Sequence, residues 1–160
     1  MKIEFCNLEA ALGHARILRG VSLCAQPGKL TGVIGPNGCG KSTLIKTLFS
    51  IVKPSSGEIL LDGEPTSRIS PREIAMRIGY VSQESNIAFN FTVRELIRTG
   101  RYPHRRALRR SEADKVVDDA IAAMHLEAFA SRSILTLSGG EKKMVYLART
   151  IAQQVECIVL

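Results

Sequence analysis

The sequence predicts an α/β fold, and three observations carry the prediction. Short apolar segments of strand character fill the first third of the chain. A helical texture runs from about residue 86 to residue 136. Within the first third stands a glycine-rich loop at Gly35, which joins an apolar strand to an apolar-periodic helix. With 160 residues, 45% of them hydrophobic, the chain has enough apolar surface for one domain with a real core and too little for two independent ones.

Taken in order, residues 3–6, 21–25 and 30–34 read as strands separated by Gly or Pro-Gly punctuation, and 59–61 and 78–81 are further short strands. Four helix starts carry a Ser or Thr followed three residues later by an acid, the reciprocal pattern that satisfies free N–H groups. They are Ser70 with Glu73, Thr92 with Glu95, Ser111 with Asp114, and Ser138 with Glu141. Pro71 takes a first helical position, where its missing N–H costs nothing. Val117, Ala120, Ile121 and Met124 mark the inward face of the third of these helices, and Met144, Leu147, Ala148 and Ile151 that of the fourth. Residues 157–160, Cys-Ile-Val-Leu, read as a buried strand, so the sequence is expected to stop inside a domain rather than at its end.

No uninterrupted apolar run approaches the roughly 20 residues needed to span a bilayer, and the first residues lack the apolar run of a signal peptide. Cys6, Cys24, Cys39 and Cys157 form no metal-ligand spacing and no CxxC pair, which points to free thiols in a reducing compartment. A net charge of +7 suits an anionic ligand, an acidic partner surface or nucleic acid without choosing among them.

Gly35-Pro36-Asn37-Gly38-Cys39-Gly40-Lys41-Ser42 fits G-x-x-x-x-G-K-[ST]. Glycines let successive backbone N–H groups approach phosphate oxygens, and the following helix adds its positive N-terminal end. Lys41 is expected to reach the β- and γ-phosphates of a nucleotide and the Ser42 hydroxyl to ligate Mg²⁺, with Thr43 completing the set. The competing reading is a plain glycine-rich turn. Cys39, inside the loop, is either a small filler or a thiol whose alkylation would block the ligand. Leu137-Ser138-Gly139-Gly140-Glu141 opens the last helix as a second anion-binding start, or simply as a well-capped helix.

The two motifs in this order resemble the ATP-binding subunits of ABC transporters, and the likeness covers essentially the whole chain. It implies a P-loop NTPase core with a mostly parallel sheet, an N-terminal antiparallel β part and an inserted helical subdomain, the C-terminal part being missing. Residues 1–85 and 137–160 would be the nucleotide-binding core and 86–136 the helical subdomain of one incomplete domain. ATP and Mg²⁺ are the implied ligands. The resemblance also implies a head-to-tail homodimer in which Leu137, Ser138, Gly139, Gly140 and Glu141 of one copy close over ATP held by the other. Gln83, after a strand, matches the glutamine that touches Mg²⁺ or the attacking water. Transmembrane permease subunits, a periplasmic or extracellular substrate-binding protein and a place at the cytoplasmic face of the membrane follow from the same likeness, and nucleic acid does not.

Two departures stand out. Where many relatives stack an aromatic residue on adenine, the matching position here is Leu12, with His14 as an alternative. The family's Asp-Glu pair and switch His are absent from these 160 residues, so the chain by itself is expected to hydrolyse ATP barely or not at all. The stretch from Thr92 to Arg105 resembles the subfamily serving iron-siderophore, haem and cobalamin importers. Arg101, Arg105, Arg106, Arg109 and Arg110 form a basic cluster there, read either as a solvated loop or as contact to an acidic partner. Rival readings are an ABC-type ATPase acting on nucleic acid or ribosomes, an ATP-binding module without turnover, and a P-loop kinase. The short gap between the motifs has no sustained heptads of the chromosome-structure type, and the Ser138 helix speaks against a kinase.

Overall fold

A computed structural model describes residues 1–81, 89–105 and 109–160. The chain divides into two units, Met1–Ile74 and Ala75–Leu160.

The first unit is an antiparallel sheet ordered β2-β1-β3-β4, with β1 at Ile3–Leu12, β2 at Ala15–Ala25, β3 at Ser56–Leu61 and β4 at Glu64–Pro65. Helix α1 spans Lys41–Leu48 and buries Leu44 and Leu48. The inward side chains of β1 are Ile3, Phe5, Leu8 and Ala10, so the two-residue period slips by one between Phe5 and Leu8. Asn7 makes the slip. It adopts φ 46, a left-handed conformation that Asn tolerates better than most residues, and acts as a bulge that returns Leu8 to the core face. The Ser22 hydroxyl holds it in place, accepting from the Asn7 N–H at 2.8 Å and donating to Oδ1 at 3.1 Å.

In the second unit, β5 (Ile78–Tyr80) pairs in parallel with β6 (Cys157–Val159), and helices α3 (Val93–Arg98), α4 (Arg110–Ala123) and α5 (Gly139–Ala152) pack around one apolar cluster. Helix α2 (Pro71–Arg77) carries the chain across the boundary. Val93, Ile97, Val117, Ile121 and Val145 are fully or nearly fully buried in that cluster. Arg94–Asp118 and Arg98–Asp114, at 2.5 and 2.8 Å, join α3 to α4 at the surface, where such pairs contribute little. No helix among the described residues is long and apolar enough to cross a membrane.

Both the antiparallel N-terminal sheet and a parallel ladder are present, in line with the predicted fold class. Four expectations need correcting. Residues 30–34 form no strand. Leu30 is 100% and Ile34 96% exposed. Apolar β-formers make a strand only where a neighbouring backbone completes the ladder, and none of the described residues does so here. Helix α4 starts at Arg110, ahead of Ser111, because Glu112 already accepts from the Arg109 N–H at 3.0 Å. The inward face of α5 is Val145, Ala148 and Ala152, flanked by Tyr146 and Thr150, whereas Met144 and Ile151 are exposed. The β6 strand is only half-buried, with Ile158 exposed.

Replacing Asn7 by Val should lower stability by about 1–2 kcal/mol, because a β-branched residue resists positive φ. Asn7→Gly should cost less. Chemical denaturation of the two variants, with Asn7→Val no less stable than Asn7→Gly, would contradict the bulge account.

Candidate functional site

The first backbone N–H groups of any α-helix lack intrahelical partners, and the helices of this chain answer that need in two ways. At α3, the Thr92 N–H donates to Glu95 Oε2 at 2.8 Å and the Glu95 N–H donates to Thr92 Oγ1 at 3.2 Å. At α5, the Ser138 N–H donates to Glu141 Oε2 at 2.6 Å and the Glu141 N–H donates to Ser138 Oγ at 3.3 Å. Ser70 and Glu73 repeat the exchange ahead of α2. These bonds favour the ionised carboxylates. The Glu95 carboxyl is held below its ordinary value, first by the Thr92 backbone N–H, and the Glu141 carboxyl first by the Ser138 hydroxyl.

Helix α1 is different. Its N-cap is Gly40, with no side-chain hydrogen bond to the first turn and no acid within it. Gly40 sits at φ 101, and a Cβ there would lie 3.1 Å from both Ile17 Cγ2 and Leu18 Cδ2, so a side chain is excluded by conformation and by crowding. Ahead of it, the exposed loop of Gly35, Pro36, Asn37, Gly38 and Cys39 closes with a Cys39 N–H to Pro36 carbonyl bond of 3.4 Å. Lys41 folds back over this loop and donates to the Gly35 carbonyl at 2.7 Å and the Pro36 carbonyl at 2.8 Å. An ammonium group has three N–H donors, and the third meets only the weak acceptor Cys39 Sγ at 3.9 Å, which a ligand oxygen can displace. Ser42 is exposed beside it, and Thr43 is buried. Uncapped amides, a helix N-terminus and an anchored cation together fit a phosphate group.

Leu12 lies at the end of β1, paired with Ala15 and 48% exposed. His14, in the turn, is also exposed. Leu137 is buried at the entry to α5, while Ser138, Gly139 and Gly140 are exposed. The Glu141–Ser138 exchange leaves the Gly139 and Gly140 N–H groups at the exposed first turn of α5. Gln83 and Arg106 lie outside the described residues.

Sequence reasoning placed Arg101 in a surface cluster, but its side chain is buried. Its Nη1 donates to the Ala152 carbonyl at 2.6 Å, at the C-terminal end of α5, and burial pulls the guanidinium below its ordinary value. His104 Nε2 donates to the Gln153 carbonyl at 2.8 Å, since a carbonyl can only accept. Gly100 makes the approach possible: a Cβ there would lie 2.2 Å from the Arg149 carbonyl oxygen. The signal for this arrangement was a Gly-Arg pair with a His three residues after the Arg, which only the distant α5 terminus makes meaningful.

Residues 18–160 match the ABC transporter family. The chain is 43% identical over 158 residues to the hemin import ATP-binding protein HmuV of Myxococcus xanthus (strain DK1622), an alignment covering 96% of this chain and 57% of that protein. It is 36% identical over 160 residues to the cobalamin import ATP-binding protein BtuD of Halobacterium salinarum (strain ATCC 29341 / DSM 671 / R1), covering 100% and 40% respectively. The solved structure of cbiO1 from Clostridium perfringens, part of the ABC transporter complex cbiONQ, matches with a TM-score of 0.83 at 29% identity, over 98% of this chain and 63% of that one. The chain spans about half the length of the curated relatives it matches.

Cys39 is exposed and its Sγ lies 3.9 Å from Lys41 Nζ. Maleimide labelling of Cys39 should abolish nucleotide binding, and magnesium nucleotide should slow the labelling. Equal labelling rates with and without nucleotide would remove the loop from the binding site.

Proposed function

This chain belongs to the ABC transporter family, and we propose that it is the ATP-binding part of a subunit that couples ATP binding and hydrolysis to solute import through a membrane permease. The solute class is haem, cobalamin or an iron-siderophore. One observation carries the reading: α1 alone among the helices with described caps starts on a glycine with no side-chain bond, and Lys41 is fixed over that start. The names of the two import proteins above favour uptake over action on nucleic acid.

In this reading the amides of Gly38 to Thr43 cradle the triphosphate, and the third Lys41 N–H reaches the β- and γ-phosphates. The Ser42 hydroxyl and Gln83 hold Mg²⁺, which supplies charge neutralisation across the phosphate oxygens. Leu12 offers adenine an apolar contact. Ser138 and the Gly139 and Gly140 amides of a second copy, packed head to tail, meet the γ-phosphate from the opposite side. Glu141, tied to the Ser138 N–H, is kept from that phosphate. Loss of the γ-phosphate then removes the contacts that favour the closed pair. Residues 1–85 and 137–160 serve as the nucleotide-binding core and 86–136 as the helical subdomain. The assembly sits peripherally on the cytoplasmic face, with permease subunits and a substrate-binding protein.

Lys41→Ala should weaken ATP binding by on the order of 2–3 kcal/mol, roughly 30- to 150-fold, through lost charge-assisted bonds. Unchanged affinity in a fluorescent-nucleotide titration would overturn the site assignment. The 160-residue chain should bind ATP yet release phosphate barely above background. Turnover at a rate typical of intact family members would show that a residue within it activates water.

A further inference from the structure

Asn37 precedes Gly38, and no other Asn of the chain precedes a glycine: Asn7 is followed by Leu8, Asn86 by Ile87 and Asn90 by Phe91. An Asn-Gly step is chemically fragile. With no side chain beside it, the glycine nitrogen can reach the Asn carboxamide carbon and close a five-membered imide. A fold suppresses this step by hydrogen-bonding the carboxamide, by engaging the glycine N–H, or by burying both.

None of these protections operates at Asn37. Asn37 and Gly38 are exposed, and they are the two central residues of the turn closed by the 3.4 Å bond from the Cys39 N–H to the Pro36 carbonyl. Among the described residues, neither the Asn37 carboxamide nor the Gly38 N–H has a hydrogen-bond partner. Gly38 stands at φ 80 in open space, where an added Cβ would meet nothing within 4 Å. The Lys41 ammonium, 2.8 Å from the Pro36 carbonyl oxygen, sets a positive charge beside the turn and favours the anions formed along the reaction. Comparable groups elsewhere are held. Asn7 Oδ1 accepts from the Ser22 hydroxyl and Asn90 Oδ1 from the Ser133 hydroxyl. Asp62, which also precedes a glycine, accepts from the Lys2 N–H at 2.7 Å.

We propose that Asn37 is a self-modification site: in the nucleotide-free chain it deamidates through a succinimide, and the loop then loses its grip on phosphate. The deprotonated Gly38 nitrogen attacks Asn37 Cγ. The N–Cγ bond forms, the Cγ–Nδ2 bond breaks, and the carboxamide nitrogen leaves as ammonia with the proton that Gly38 gave up. One water then opens the ring, at Cγ to leave aspartate or at the main-chain carbonyl carbon to leave isoaspartate, and nothing is oxidised or reduced. Either product adds a carboxylate to a loop suited to anions. Isoaspartate also inserts one carbon into the main chain ahead of Gly38 and displaces the amides that follow. A bound triphosphate engages the Gly38 N–H and protects the site, a part of the inference that rests on the nucleotide reading above.

The test incubates the chain in H₂¹⁸O at mildly alkaline pH, with and without saturating magnesium-ATP, and follows every Asn by peptide mapping. Asn37 should convert at least tenfold faster than Asn7, Asn86 and Asn90, to a mixture of aspartate and isoaspartate carrying one ¹⁸O. Magnesium-ATP should slow the conversion at least tenfold. The isoaspartate form, separated by ion exchange, should bind magnesium-ATP at least tenfold more weakly than the unmodified chain. The proposal is overturned if Asn37 stays intact in the folded chain while a free peptide of residues 33–42 converts, if bound nucleotide leaves the rate unchanged, or if the isoaspartate form keeps its affinity. Conversion in a chain that never binds nucleotide removes the nucleotide reading and leaves the chemistry at Asn37 standing. Nucleotide binding by a chain whose Asn37 stays intact removes this inference alone.

Discussion

An α-helix begins with N–H groups that nothing inside the helix can satisfy, and the site in this chain is built on how those groups are answered. Helices α2, α3 and α5 answer them locally, through a Ser or Thr hydroxyl and an acid three residues on. Helix α1 does not. It starts on Gly40, whose conformation and crowding exclude a side chain, and the cation nearest its start is bound to the loop's own carbonyls. A helix end left without a side-chain cap and backed by a fixed ammonium group is a standing attraction for an anion. The same rule separates the two glycine motifs: one starts its helix with no side-chain cap, while the other ties Glu141 back to Ser138 and leaves Gly139 and Gly140 exposed.

The far end of α5 obeys the mirror rule. Last-turn carbonyls need donors, and cations suit the negative end of the helix. Arg101 and His104 provide both, one residue apart along the helix end, at the Ala152 and Gln153 carbonyls. The Gln153 side chain then donates to the Ala75 and Ile78 carbonyls at 2.5 and 3.4 Å, next to the parallel β5–β6 ladder. Within the second unit, α5 is therefore tied at its first turn by its own capping exchange and at its last turn by the turn Thr99–His104 and the start of β5.

Packing supplies the rest of the rigidity. In the first unit a single residue, Asn7, re-phases β1 so that apolar side chains on both sides of it reach one core face. In the second, α3, α4 and α5 share one cluster, and small residues such as Ala120, Ala148 and Ala152 let them approach closely.

Local chemistry was legible in the sequence itself. The glycine loop, the start of α1, and the caps of α2, α3 and α5 all came from residues within a few positions of one another, and hydrogen bonds of that reach form wherever the chain folds. The α4 face at Val117, Ala120 and Ile121 was legible for the same reason. Tertiary structure decided what depends on distant partners. Residues 30–34 have strand composition but no ladder, since a strand exists only through its neighbour. Helix α5 turned a different stripe inward, because which apolar face is buried depends on what packs against it. Arg101 moved from an apparent surface cluster to a buried cap, drawn by a carbonyl some fifty residues away in sequence that no local pattern could have announced.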